Sequence, residues 1–161
     1  MSTDTAPRTR REFRASATRY VSAGHLAFHL PWLGVLAGCA RDDARDGAPF
    51  LHLEAGEART THALATQIIP PDDEASGATQ LWLVYFVDRA LGVSFFVDDV
   101  LLLRSGLADL DARARAIDPR ADFAALSFAQ QATILRQIEH TRFFAAARGL
   151  LVIGAYGSRL L

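Results

Sequence analysis

The sequence contains no lysine and no asparagine, and it has one cysteine among 161 residues. A single cysteine excludes an intrachain disulfide framework and a zinc site built from several cysteines. All basic side chains are arginines, which we attribute to codon usage because no physical requirement removes every lysine. Without lysine clusters, and with a formal net charge of -1, the chain has no electrostatic footprint for nucleic acid. We therefore expect no nucleic-acid partner.

Motifs of catalysis and cofactor binding are also missing. The chain has no G-x-G-x-x-G, no C-x-x-C-H for haem and no G-x-S-x-G. Its acidic pairs are adjacent in sequence and would point about 100° apart on a helix, so they do not form a general acid/base pair. The later histidines lack the spacing of metal ligands, and they are His52, His62 and His140. We expect no catalytic, cofactor or metal site in this chain.

The basic residues are concentrated at the amino terminus. Residues 1–38 carry five arginines against Asp4 and Glu12, whereas the remainder is acidic. The uninterrupted apolar segment that follows, residues 30–38, is shorter than the roughly 20 residues of a spanning helix. A positive region before a short apolar run is typical of a signal peptide. The alternative is a core helix with a buried histidine pair.

The leader ends in a motif for lipid attachment. Residues 36–39, "LAGC", resemble the lipobox of bacterial lipoprotein signal peptides, in which the cysteine thiol is acylated and the chain is cut before it. We expect residues 1–38 to be removed, Cys39 to carry the lipid anchor, and residues 39–49 to form a tether before a domain at 50–161. Several buried acyl chains would hold the protein at a membrane. The alternative for Cys39 is a small buried apolar residue.

A second motif concerns the export route. Residues 9–13, "TRREF", resemble the twin-arginine signal, which directs folded proteins to a translocase, through Arg10, Arg11 and Phe13. Arg14 departs from the apolar residue that usually follows. We expect an exported protein, lipid-anchored on the periplasmic side of a bacterial envelope.

The domain is predicted to be all-α, with four or five helices. Thr60 or Thr61 is the predicted N-cap of a helix that ends before Pro70. The next helix spans residues 80–91, and one face of it is apolar: Leu83, Phe86, Val87, Ala90 and Leu91. Trp82 and Tyr85 lie on its other side, where they either form a second core layer or contact a partner.

The clearest helical periodicity runs from residue 96 to 117. Its seam consists of Phe96, Val100, Leu103, Leu107, Leu110, Ala114 and Ile117. Gly106 within it predicts a close crossing or a kink. Ser127 and Gln130 have the spacing of a capping box, and they start a helix whose stripe is predicted at Phe128, Ala132, Leu135 and Ile138 and continues through Phe143 and Phe144. The later glycines are predicted to loosen the carboxyl terminus: Gly149, Gly154 and Gly157.

Four segments together resemble the gluconate 2-dehydrogenase subunit 3 family. Residues 63–91, "ALATQIIPPDDEASGATQLWLVYFVDRAL", have its Ile-Ile-Pro turn, acidic loop, Gly-Ala and Asp-Arg-Ala-Leu. Residues 104–116, 123–135 and 143–150 fit the same family in the same order. The resemblance spans roughly residues 58–157.

The resemblance implies a small, non-catalytic subunit of a membrane-associated sugar or sugar-acid dehydrogenase. FAD is then expected in a large partner subunit and haem in a multihaem cytochrome c subunit, with no cofactor in this chain. The family is also implied to carry the twin-arginine signal for a catalytic subunit that has none. The alternative is a free-standing periplasmic lipoprotein that binds a small ligand or another envelope protein, and an independent enzyme is the weakest hypothesis for want of catalytic groups.

Overall fold

The computed structural model describes residues 23–69, 78–93 and 97–157. Within these ranges the chain forms helices and contains no strand, so the all-α prediction is confirmed. The elements in chain order are α1 (Ala23–Asp46), α2 (Ala55–Ile68), α3 (Ala78–Leu91), α4 (Val97–Ile117), the 3₁₀ turn η1 (Phe123–Ala125), α5 (Phe128–Ile138) and α6 (Arg142–Gly157).

Helix α3 lies at the centre of the packing. It contacts α1, α2 and α6, and every residue from 82 to 88 is buried. A helix that is apolar around its whole circumference is stable only when neighbours cover every side of it. The predicted apolar face of α3 is confirmed, since Leu83 and Phe86 are almost fully buried.

Helix α4 packs along the central part of the predicted seam, and Phe96 at its start lies outside the described residues. Leu103, Leu107, Leu110 and Ala114 are buried in the core against the other helices. The seam ends there: Ile117 is 49% exposed, so its predicted burial is wrong. Ile117 is the last residue of α4, just before Asp118 and Pro119 end the helix as predicted.

Gly106 marks the close crossing of α4 and α6. An ideal Cβ at Gly106 would lie 1.9 Å from Cδ2 of Phe143. Gly154 has a similar role between α6 and α3, because its Cβ would lie 2.8 Å from side-chain atoms of Leu83 and Phe86. The predicted loosening at Gly154 is therefore wrong: α6 continues through Gly157, and the glycine lets α3 approach.

The start of α5 lies where it was predicted, whereas the start of α2 does not. The capping box of α5 is confirmed, since Gln130 Oε1 accepts a hydrogen bond from the Ser127 N–H at 3.0 Å. The predicted N-cap of α2 at Thr60 or Thr61 is wrong, because α2 begins at Ala55 and both threonines are buried inside it. Phe128 is 60% exposed, so the stripe of α5 is offset from the predicted one: its buried side consists of Gln131, Ile134, Leu135 and Ile138.

None of the described helices has both the length and the apolar character that crossing a bilayer requires.

The crossing at Gly106 generates a stability prediction. Gly106→Ala places a methyl group against the buried Phe143 ring, and overpacking of this kind costs about 1–3 kcal/mol. Gly149→Ala is the matched control: no heavy atom lies within 4 Å of its Cβ position, so the change should stabilise α6 by up to about 1 kcal/mol through helix propensity. Urea unfolding of both variants measures the difference. If Gly106→Ala has the same free energy of unfolding as the wild type, the close crossing is contradicted.

Candidate functional site

The residues between the lipobox and the domain form a packed arm. We define the arm as residues 34–50, the described side chains of α1 with the turn after it. Helix α1 ends at Asp46, where Gly47 adopts a φ of +64° and the Ala48 N–H donates to the Asp43 carbonyl at 3.0 Å. This pattern is a Schellman motif, and its left-handed position favours glycine. Residues 39–46 are therefore helical where we expected a tether.

Small side chains allow the arm to pack against α3 and α6. Ala37 and Ala40 are 2% and 0% exposed and belong to the hydrophobic core. Helix α1 packs most extensively against α3 and also touches α6. Alanines at these positions allow the helix axes to approach closely.

Trp82 lies beneath the arm. The guanidinium carbon of Arg41 is 4.6 Å from the centroid of the Trp82 ring, which is a cation–π contact. Trp82 also meets the Phe86 ring edge-on at 6.3 Å between centroids. Trp82 is 9% exposed in this arrangement.

Tyr85 and Arg89, one and two turns further along α3, bind the same arm. The Tyr85 hydroxyl donates to the Ala48 carbonyl at 2.7 Å, and its ring lies 4.6 Å from that of Phe50. Arg89 Nε donates to Asp43 Oδ2 at 2.7 Å. Trp82 and Tyr85 thus form a second core layer, and neither is open to a partner while the arm is docked.

The predicted lipidation site lies on the outer side of the arm. Cys39 is exposed, although its neighbours Ala37 and Ala40 are buried. The bond between Gly38 and Cys39 falls inside α1. The export motif of Arg10, Arg11 and Phe13 lies outside the described residues.

Asp88 holds the turn between the arm and α2, a role that sequence reasoning missed. Its carboxylate is 1% exposed and accepts backbone N–H bonds from Leu51 at 2.9 Å, His52 at 2.8 Å and Leu53 at 2.8 Å. These bonds fix the turn before α2. The available signal was a lone acidic residue in an apolar helix, which burial requires to be hydrogen-bonded.

The remaining parts of the same turn are held by α2, α4 and the end of α3. Arg104 pairs with Glu57 at 2.7 Å and donates to the His52 carbonyl. Gly92 lies under the His52 ring, since a Cβ there would be 2.4 Å from Nε2. His52 is exposed, and its ring lies over Gly92. Among the described residues no three His, Cys, Asp or Glu side chains are grouped as metal ligands.

A second buried polar cluster holds η1 between α2 and α4. Asp111 accepts the Thr60 hydroxyl at 2.8 Å and the Phe123 N–H at 3.0 Å. Gln131 donates to the carbonyls of Phe123 at 3.0 Å and Leu126 at 3.1 Å. Asp111 on α4 and Gln131 on α5 thus hold η1 and the residues after it in place.

Asp122 is the described carboxylate whose ionisation depends most clearly on a partner. Arg59 Nη2 donates to Asp122 Oδ2 at 2.9 Å, and this hydrogen bond lowers the pKa of Asp122 below its ordinary value. Desolvation by burial opposes the shift, and the Ala125 N–H adds to the lowering.

A small cavity lies among the described core residues, apart from an open surface depression of about 310 Å³ beside Arg115, Pro119 and Arg120. Its volume is about 20 Å³, and it is lined by apolar side chains together with Thr61 and Arg104. A space of this size holds one water molecule, whereas pockets for cofactors measure about 300–1,000 Å³. It does not fit a flavin or a haem. The Thr61 hydroxyl beside it is the one buried side-chain polar atom of the described residues without a hydrogen-bond partner.

The described structure is a small helical domain whose buried polar groups hold its helices together, with an amino-terminal arm packed on α3. The chain belongs to the gluconate 2-dehydrogenase subunit 3 family, whose model matches residues 55–160. The predicted family is thereby confirmed, and it is that of a small subunit of a dehydrogenase complex. No curated protein and no solved structure matches the chain. The arm precedes the matched region.

Asp88→Ala tests the junction. It leaves three backbone N–H groups without their acceptor, and we expect the free energy of unfolding to fall by about 2–4 kcal/mol. Asp109→Ala is the control, because Asp109 is half exposed and pairs with Arg113 one turn away, an interaction worth less than about 0.5 kcal/mol. Urea unfolding compares the two. Equal losses would contradict the anchoring role.

Asp122→Asn tests the pH dependence. A lowered folded-state pKa gives stability that is fully present above the unfolded pKa of about 3.9 and is lost as the pH falls through the folded pKa. Asparagine keeps the capping ability but removes the charge. At pH 6 we expect the variant to be less stable by under about 1 kcal/mol. The difference should shrink in urea titrations near pH 3, and a difference that grows in acid would contradict the account.

Proposed function

We propose that the protein is the non-catalytic small subunit of a FAD-dependent sugar or sugar-acid dehydrogenase on the periplasmic side of the envelope. The observation that carries the proposal is the family match over residues 55–160. The polar groups of the described domain support it, since the buried Asp88 and Gln131 and the partly buried Asp111 are all engaged in holding helices and turns together.

The subunit supplies an export signal to its partner. FAD is inserted in the cytoplasm into a folded chain, so a flavoenzyme that acts outside the inner membrane needs a route for folded cargo. This protein binds the flavin subunit first and carries it through the twin-arginine translocase by means of Arg10, Arg11 and Phe13. The FAD belongs to that large subunit, and haem belongs to a multihaem cytochrome c subunit.

The subunit also anchors the complex. Acylation of Cys39 followed by cleavage before it would leave several acyl chains on the new amino terminus, which is sufficient for stable membrane attachment. The thiol of Cys39 is exposed on the arm, which is compatible with modification.

A stable contact with the flavin subunit buries at least about 1,200 Å² and usually has aromatic anchors. Trp82 and Tyr85 would join such an interface only after displacement of the arm that covers them. Phe128, at the start of α5, is 60% exposed with the arm in place.

The test is to replace Arg10 and Arg11 by lysine in the full chain. The export motif lies in the leader, outside the family-matched domain, so the complex should still assemble. We expect both chains to remain in the cytoplasm, as measured by dehydrogenase activity in cytoplasmic and envelope fractions.

Arg8→Lys with Arg19→Lys is the matched control, because it makes the same chemical change outside residues 9–13. That variant should be exported normally. If the flavoenzyme reaches the envelope with Arg10 and Arg11 both replaced, the escort role is wrong and a free-standing periplasmic lipoprotein is the better account.

A further inference from the structure

The bond that lipoprotein processing would cut lies within a packed helix. The Gly38–Cys39 bond is part of α1. The residue before Gly38 and the residue after Cys39 are both buried, with Ala37 2% and Ala40 0% exposed. This stretch therefore has its backbone in helical hydrogen bonds and one side against the body.

A peptidase cuts a segment after that segment has opened locally, and the rate follows the population of the open form when opening and closing are fast. A bond in a docked helix is accordingly protected in proportion to the stability of the docking. A bond in a free tether has no such protection.

We infer that docking of the arm on α3 protects the Gly38–Cys39 bond, so that release of the arm controls the processing of this protein. The inference rests on the proposed lipidation and cleavage at Cys39. It adds a step that the motif alone does not contain: the arm must leave α3 before the chain is cut.

The contacts that hold the arm lie just after the bond. Asp43 pairs with Arg89 at 2.6 Å, and the two side chains are 19% and 32% exposed, so the pair is partly shielded from water. Arg41 lies over Trp82 and the Tyr85 hydroxyl binds the Ala48 carbonyl. Their partners all belong to α3, outside the leader.

The same helix offers a contact that does not hold the arm. Asp42 and Arg45 pair with each other at 3.0 Å, and their side chains are 70% and 74% exposed. Replacing Arg45 alone changes the charge of the arm and leaves the contacts to α3 in place. It is the matched control for removal of the Asp43–Arg89 pair.

Release has a second consequence on α3. It uncovers Trp82 and Tyr85, which lie inside the family-matched region while the arm lies before it. The aromatic pair would then become available to a partner at the membrane, after the arm has left.

The experiment follows the conversion of the full-length precursor in a bacterial host after pulse labelling, with intact mass to identify the form that begins at Cys39. Arg89→Ala should speed conversion by about 3- to 10-fold, because it raises the open population of the arm. Tyr85→Phe, which keeps the ring and loses the hydroxyl, should also speed it. Arg45→Ala should convert at the wild-type rate.

The charge exchange Asp43→Arg with Arg89→Asp restores a pair and should return conversion toward the wild-type rate, whereas Asp43→Arg alone should be fast. Gly106→Ala should lower the stability of the domain at the crossing of α4 and α6, away from the contacts between the arm and α3. It should therefore have no effect on conversion. If it accelerates conversion as strongly as Arg89→Ala does, general instability explains the result and the inference is wrong.

Equal rates for wild type, Arg89→Ala and Tyr85→Phe would overturn the protection by docking and leave lipidation intact. A chain that keeps its leader in every variant, and is indistinguishable from Cys39→Ser, would overturn the lipidation as well.

Discussion

The rest of the structure depends on the burial of α3. The run from residue 81 to 87 is apolar, so this helix has no side that favours water, and it must be covered by α1, α2 and α6. Glycines set how closely the helices approach at two crossings: Gly154 lets α6 meet α3, and Gly106 lets α4 meet α6. Asp88 on α3 is charged and almost fully buried, and its carboxylate holds the turn before α2.

Local periodicity predicted the parts of this fold that depend on local pattern. The central part of the α4 seam, from Leu103 to Ala114, and the capping box of α5 follow from spacing alone, and both were confirmed. The stripe of α5 was misplaced because it was counted from Phe128, the first residue of the helix, whose side chain is 60% exposed. The threonines of α2 were misplaced because Glu54 and Glu57 start the helix earlier, while the Thr60 hydroxyl binds Asp111 inside the fold.

The arm could not be predicted for the same reason. Its charged stretch has the composition of a tether, but Arg41 and Asp43 find their partners on α3, and no local pattern reveals that pairing. The alternatives for Trp82 and Tyr85 were likewise open, since the periodicity of α3 describes one face and the second layer depends on what covers it. The motif that ends at Cys39 is a local pattern and can be recognised in the sequence. The packing of the surrounding helix against α3 depends on residues far away in sequence and could not be predicted.

The central claim is that this protein works as a subunit of a flavin dehydrogenase, and purification of the native complex from the envelope tests it most directly. The protein, tagged at its carboxyl terminus, is isolated under mild detergent, and flavin absorbance, subunit stoichiometry and dehydrogenase activity are measured in the same fraction. The account predicts one flavin-containing dehydrogenase chain for each copy of this protein. Recovery of this protein without flavin, while the dehydrogenase activity fractionates elsewhere in the envelope, would contradict it.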